Sequence, residues 1–271
     1  MLSARSFFRG NYITVVEAKR LLTNLCGIPE LVPDFWNIFE PINRRFKIGD
    51  LDEVIRGSMV PSESARKSFS RTLAFFTRMS DPRLLISFDL RLAPVQWTSA
   101  HNIISVNVEE PWPGGETLLA NYLLSTVLPG FPDYTKVVES SQEEPERLQE
   151  FRHPMTGREV VESLRNRPIV LPFGPYGCIE DIYWFNYFGK TYVDFIGVER
   201  LLSAGWARVE KIGGGLACYA TTTIDAPSAR EQRSYIASRL EEFVWSPGCD
   251  PKTKRIPNFD FSAQTEALLK E

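Results

Sequence analysis

The chain has 271 residues, 43% of them hydrophobic and 24% charged, with a formal net charge of -3 at pH 7. These proportions are those of an ordinary globular protein and exclude wholesale disorder or a fibrous architecture. The slight acidity argues against a broad nucleic-acid-binding surface, because a duplex is gripped by clustered Lys and Arg that displace its counterions.

The opening segment, Met1 to Asn11, carries Arg5 and Arg9 but lacks the apolar run of roughly 7 to 15 residues that an export signal needs. Nor does any stretch reach the ~18 consecutive apolar residues of a membrane span. The greasiest, Tyr183 to Phe188, contains Asn186 and ends at Gly189. The expectation is a protein that stays in the cytoplasm. Cys26, Cys178, Cys218 and Cys249 form no Cys-x-x-Cys pair. They read as buried free thiols and not as zinc ligands or a redox couple.

The first helix is predicted to open at Thr14, which forms a Thr-x-x-Glu capping box with Glu17, and to bury Val15, Ala18, Leu22 and Leu25. Gly27 is placed to end it in a left-handed conformation. An aromatic, Pro-rich passage from Pro29 through Trp36 to Pro41 is expected to pack irregularly against the core. A second helix is predicted over 62–79, since Ala65, Phe69, Leu73 and Phe76 form one apolar stripe. The period then changes to two. Over 84–92, Ile86, Phe88, Leu90 and Leu92 alternate with polar residues, and 102–108 alternates likewise through Ile104, Val106 and Val108. The two read as an antiparallel pair. A helix from about 117 to 127 and a strand at 135–139 follow, and then a strongly acidic, solvated stretch at 140–150.

In the second half, 182–188 and 191–195 flank Gly189-Lys190 and predict a tight hairpin. A short helix over 198–203 should stop at Gly205. Strands at 206–212 and 216–223 should pair around Gly213-Gly214-Gly215. A last helix over 229–243 is predicted to be capped by Ser228 with Glu231 and to bury Ile236, Leu240 and Phe243. Both Val108 to Pro111 and Ile224 to Pro227 link a strand pair to a helix, which suggests two diverged strand-strand-helix units. The fold class is therefore α+β, with antiparallel sheets and helices packed on one face. The chain reads as one domain, 1–271, with halves at 1–150 and 158–250, an acidic linker near 140–150 and an irregular C-terminal tail.

The residues offer little catalytic chemistry. His101 and His153 are the two histidines and lie far apart, so a histidine-rich metal centre is not expected, and His101 stands in a loop without a positioned nucleophile. The glycine triplet at 213–215 lies between two strands and lacks the Lys-Ser/Thr ending of a phosphate loop. Gly174 to Gly177 reads as a turn. Adjacent carboxylates such as Glu109-Glu110 and Glu180-Asp181 point to opposite sides of a strand, which leaves paired acid catalysis unsupported. The acidic groups suit an electrostatic surface better, and Trp112, between Pro111 and Pro113, is the tryptophan expected to be exposed as an interface anchor.

Gly205-Trp206, Gly214-Gly215-Leu216, Thr222, Asp225, Pro227 and the helix bearing Ile236 and Leu240 resemble the closing pattern of the immunity protein 52 family. The resemblance implies an antitoxin-like protein that neutralises a cognate secreted toxin by binding it. The toxin implied is similar to nucleases of restriction-endonuclease-like fold delivered by type VI secretion. No enzyme activity, cofactor or metal is expected, and no direct contact with nucleic acid or membrane; the chain itself would be a monomer or homodimer. Glu109, Glu110, Trp112, Glu143, Glu144 and Glu146 are the candidate toxin contacts. The rival readings are a hydrolase with a site around His101 and a structural component of a secretion assembly.

Overall fold

The computed structural model describes residues 2–8, 15–38, 41–59, 74–80, 82–89, 102–109, 112–127, 132–139, 148–152, 159–163, 179, 181–244, 254–255 and 257. In chain order they form β1 (Leu2–Phe8), α1 (Val15–Cys26), β2 (Phe35–Asn37), β3 (Arg44–Arg45), α2 (Leu51–Met59), β4 (Ala74–Arg78), β5 (Leu84–Asp89), β6 (Asn102–Val108), α3 (Gly115–Val127) and β7 (Tyr134–Glu139). There follow β8 (Leu148–Arg152), β9 (Glu159–Ser163), β10 (Phe185–Phe188), α4 (Lys190–Ile196), α5 (Val198–Leu202), β11 (Arg208–Ile212), β12 (Gly215–Tyr219) and α6 (Ala229–Arg239). One antiparallel sheet takes ten of these strands in the order β11-β12-β10-β7-β1-β6-β5-β4-β2-β3, and β8 pairs with β9 in a separate ribbon. The α+β class is what the sequence led one to expect.

β1, which no sequence periodicity announces, runs through the interior of the sheet. It pairs with β6 from Leu2↔Val108 to Phe8↔Asn102 and with β7 from Leu2↔Glu139 to Phe7↔Tyr134. Ser6 and Thr135 share a buried hydroxyl-hydroxyl hydrogen bond of 2.7 Å across the second of these seams. Successive side chains on a strand point to opposite faces, and the two faces carry separate cores. Leu2 and Ala4 of β1, Val106 of β6, Val137 of β7 and Phe185 of β10 pack with Leu22 of α1, Val54 of α2 and Leu123 of α3. Phe7, Tyr134, Phe188 and Cys218 pack instead with Tyr192 of α4, Leu201 of α5 and Ile236 of α6. The helices thus cover both faces of one sheet, α1 to α3 on one and α4 to α6 on the other, where the sequence reading put them on one face. Strand-strand-helix does recur, as β5-β6-α3 and β11-β12-α6.

Several sequence expectations hold. α1 buries Ala18, Leu22 and Leu25, though Val15, the first residue of the expected stripe, is exposed, β5 pairs antiparallel with β6, and α3, β7, α5 and the β11-β12 pair stand where the pattern put them. Gly213 and Gly214 turn that last hairpin at φ +56 and +82. Others fail for identifiable reasons. The stretch 74–79, expected to be helical, contains β4, because Phe76 is held between Trp36 of β2 and Ile86 of β5 and its neighbours alternate about it; residues 60–73 of that expected helix lie outside the described residues. The predicted hairpin at Gly189-Lys190 does not form. β10 already has β7 on one side and β12 on the other, so no strand edge remains for Thr191 to Phe195, which winds into α4 and buries Tyr192, Val193 and Ile196.

α2 was missed, although Leu51, Val54 and Ile55 are buried at helical spacing. Gly27 follows α1 through a bond from its N–H to the Thr23 carbonyl, 3.0 Å, without the left-handed backbone expected of it. Thr14 lies outside the described residues. Ser228 precedes α6 without a side-chain cap, and α6 stops at Arg239, though Leu240 and Phe243 beyond it remain buried. The aromatic passage is more regular than expected: β2 fixes Trp36, which is 2% exposed, and the Arg44 guanidinium lies 5.3 Å from its ring centroid. No helix among the described residues is long and apolar enough to cross a membrane.

Two tests follow from this packing. A Cβ at Gly189 would stand 2.1 Å from the Pro132 carbonyl oxygen, whereas one at Gly49 would meet nothing within 4 Å. Gly189→Ala is expected to lower the unfolding free energy by about 1–3 kcal/mol, and Gly49→Ala to leave it unchanged or raise it by about 0.5 kcal/mol, as read from urea midpoints. Beside α5, the guanidiniums of Arg200 and Arg255 hydrogen-bond Glu242 and hold its carboxyl below the usual glutamate range. A carboxyl lowered by folding stabilises the native state above its unfolded pKa, and that contribution is lost as pH falls through the folded value. Glu242→Gln should therefore lower the melting temperature slightly at neutral pH, with the difference vanishing in acid that protonates Glu242 in both states.

Candidate interaction surface

The first candidate region is the exit from β6. The strand pairing continues one residue past Val108, with the Glu109 N–H donating to the Arg83 carbonyl at 2.9 Å. The Glu109 carboxylate lies 3.8 Å from the Arg83 guanidinium, and both side chains are more than half exposed. Such a pair contributes little to stability and leaves Glu109 available at the surface. Gly114, at φ +75, turns the chain into α3. At Gly115 a Cβ would come within 2.3 Å of the Trp112 ring, so the missing side chain lets the indole lie back on the helix start. Trp112 is half-buried and packs against the core that α1 to α3 share. It is not the freely exposed anchor the sequence suggested. Glu110, Glu143, Glu144 and Glu146 lie outside the described residues.

His101 and His153 also lie outside the described residues, as do Gly174 to Gly177, Cys178 and Cys249. Of the remaining cysteines, Cys218 is buried and Cys26 half-buried; both are free thiols, and burial raises the pKa of each. Neither is poised to react, since the thiolate is the nucleophile. Among the described residues no cluster of three His, Cys, Asp or Glu side chains could hold a metal ion. The glycine triplet is a packed turn: a Cβ at Gly215 would stand 2.4 Å from the Tyr187 hydroxyl, which donates to the Ile212 carbonyl at 2.9 Å. Burial, reinforced by Asp133, pushes that hydroxyl up to about 12, so it stays protonated.

A second region was invisible in the sequence. The register aligns Phe75, Ser87, Ser105, Arg5, Lys136, Asn186 and Cys218 in one row across β4, β5, β6, β1, β7, β10 and β12. Period-two alternation puts them on the face opposite Leu2 and Ala4. Toward β10 the row is buried beneath α4 to α6: Asn186 accepts from the Tyr134 hydroxyl at 2.7 Å, and Lys136 donates to the Tyr183 hydroxyl at 3.0 Å, with its ammonium 4.2 Å from that ring. Toward β5 it opens. Ser87 and Asn107 are half-buried and Leu85 is 41% exposed. Arg5 stands at the transition, half-buried, with its Nε enclosed and without a hydrogen-bond partner. Its only sequence signal is one of two arginines, Arg5 and Arg9, in an opening segment with no recognised periodicity.

The role of Trp112 is open to a direct check. Gly115→Ala should displace the indole, shifting the Trp112 resonance in fluorotryptophan-labelled protein and lowering stability by about 1–3 kcal/mol; an unmoved resonance would contradict the packing described above.

No protein-family model matches the chain, and no curated protein does. Among solved structures it is similar to the Pseudomonas aeruginosa T6SS protein PA0821, with 13% identity, a TM-score of 0.57, and coverage of 90% of this chain and 76% of that one. At that identity the likeness establishes a shared fold over nearly the whole chain.

Proposed function

We propose that this chain is an immunity protein of the immunity protein 52 kind, which binds a cognate toxin delivered by type VI secretion and neutralises it in the cytoplasm. The observation that carries this reading is the shared fold with a T6SS protein over 90% of the chain. The residues behind the family resemblance agree with it, because they hold structural positions: Gly205 takes φ +98 beneath Tyr235, Gly214 takes φ +82, and Ile236 and Leu240 are fully buried. The toxin is a nuclease similar to restriction-endonuclease-like enzymes. The inhibitor acts by surface complementarity, as a monomer or homodimer that forms a one-to-one complex and buries roughly 1,200–2,000 Å². Glu109, Glu110, Trp112, Glu143, Glu144 and Glu146 supply acidic and aromatic contacts to a basic substrate groove.

The test is co-expression in a bacterial host with the toxin-bearing reading frame beside this gene. Growth should be restored, and the two products should co-purify as a one-to-one complex by light scattering; continued killing with no complex removes the proposal. His101→Ala should protect as well as the wild type, whereas loss of protection with an intact complex would favour an enzyme. Reversing Glu143, Glu144 and Glu146 to Lys together should weaken the complex by at least about tenfold, and unchanged binding would discard that patch.

A further inference from the structure

The row that crosses the sheet at Arg5 contains two cations and no carboxylate. Arg5 and Lys136 are direct cross-strand partners on one face, an arrangement in which like charges destabilise a sheet. Lys136, 3% exposed, turns away into the Tyr183 hydroxyl and ring. Arg5 has no such compensation, because its Nε is enclosed with nothing to donate to. An unmet buried donor is costly, the more so when charged. The Nε atoms of Arg78 and Arg233 are likewise enclosed without an acceptor, but Arg78 also donates to the Pro29 carbonyl, and several other guanidiniums have anions: Arg83 has Glu109, Arg200 and Arg255 have Glu242, and Arg208 has Glu210. Ser3 and Ser105, which flank Arg5, are themselves buried, and its guanidinium is approachable from the side where Ser87, Asn107 and Leu85 are accessible.

We infer that this polar face is a docking surface for an acidic segment of a partner protein, with the Arg5 guanidinium receiving a carboxylate and the accessible Ser87 hydroxyl and the Asn107 amide N–H groups, whose Oδ1 already accepts from Ser3, able to hydrogen-bond beside it. A guanidinium matches a carboxylate through two parallel N–H···O bonds, which would satisfy the enclosed Nε. An isolated pair of cations in a chain of net charge -3 does not make the basic stripe that an extended polyanion requires, so the occupant is a protein side chain and not nucleic acid. This deepens the proposed function and rests on it for the identity of the partner.

The experiment has two arms. In the first, protein labelled at arginine Nε is titrated with hexaglutamate, with hexaserine and oligothymidylate as controls. The Arg5 Nε–H resonance should move with hexaglutamate alone; an unmoved resonance, or a larger response to oligothymidylate, overturns the inference. In the second, the toxin's affinity is measured for Arg5→Met and for Ser105→Asp, which sets an internal carboxylate opposite Arg5. Both should bind at least about 30-fold more weakly while melting at or above the wild-type temperature, because the first removes the donor that Arg5 leaves unmet and the second supplies it with an acceptor. Affinity within about twofold of wild type, or a fall in melting temperature that accompanies the loss, overturns it. If the wild-type chain forms no complex with the toxin, the proposed function fails and the hexaglutamate arm alone decides the inference.

Discussion

The fold depends on the pairing of β1 with strands on both of its sides. Seven residues at the N-terminal end of the described chain lie between β6 and β7, strands that follow it by about a hundred residues or more. Every backbone donor and acceptor of an interior strand needs a partner to one side or the other, and β1 supplies those partners to both neighbours. Without it β6 and β7 would each present an open edge, and the ten-stranded sheet would fall into two pieces, each with an exposed row of N–H and C=O groups. The buried hydroxyl pair of Ser6 and Thr135 fixes the register at this seam. A slip of one residue would exchange the faces on which Ala4 and Arg5 lie.

From that seam the two cores separate. On β1, Leu2 and Ala4 go to the side of α1, α2 and α3, and Phe7 goes to the side of α4, α5 and α6. A strand buried on both faces usually reads as a continuous apolar run, and β1 does not, because its second and fourth residues, Ser3 and Arg5, lie on the second face toward β6, where α4 to α6 no longer supply an apolar cover. The same partial cover explains the gradient along the polar row: Asn186 and Lys136 are enclosed and bonded, Arg5 is enclosed at one nitrogen only, and Ser87 is accessible. A charge left there without a partner lowers stability, and proteins keep such features mainly where something else has to bind.

The acidic contacts read from the sequence and the cationic row read from the structure are not rivals. Glu109 projects from the end of β6 beside the exposed Arg83, where screening makes any ion pair weak and easily exchanged. Arg5 is half-buried with its Nε enclosed, so a charge-assisted bond formed there would be stronger and more selective. Long-range attraction from the first and close recognition at the second are complementary roles in protein association.

What the sequence determined by itself is local. Period-two alternation fixed β5 and β6, helical spacing fixed α1 and α3, and the glycines at 213 and 214 fixed the β11-β12 turn, because each of these is set by neighbours a few residues away. Of the candidate contacts it singled out, Glu109 is exposed as expected and Trp112 is held down by Gly115. Only the tertiary structure decided that β1 is an interior strand, that Phe76 belongs to a strand and Tyr192 to a helix, that helices cover both faces, and that Arg5 meets Lys136. Each of these turns on which strand edge is already occupied and which face is already covered, conditions imposed by residues up to a hundred or more positions distant, as in the pairing of Ser3 with Asn107.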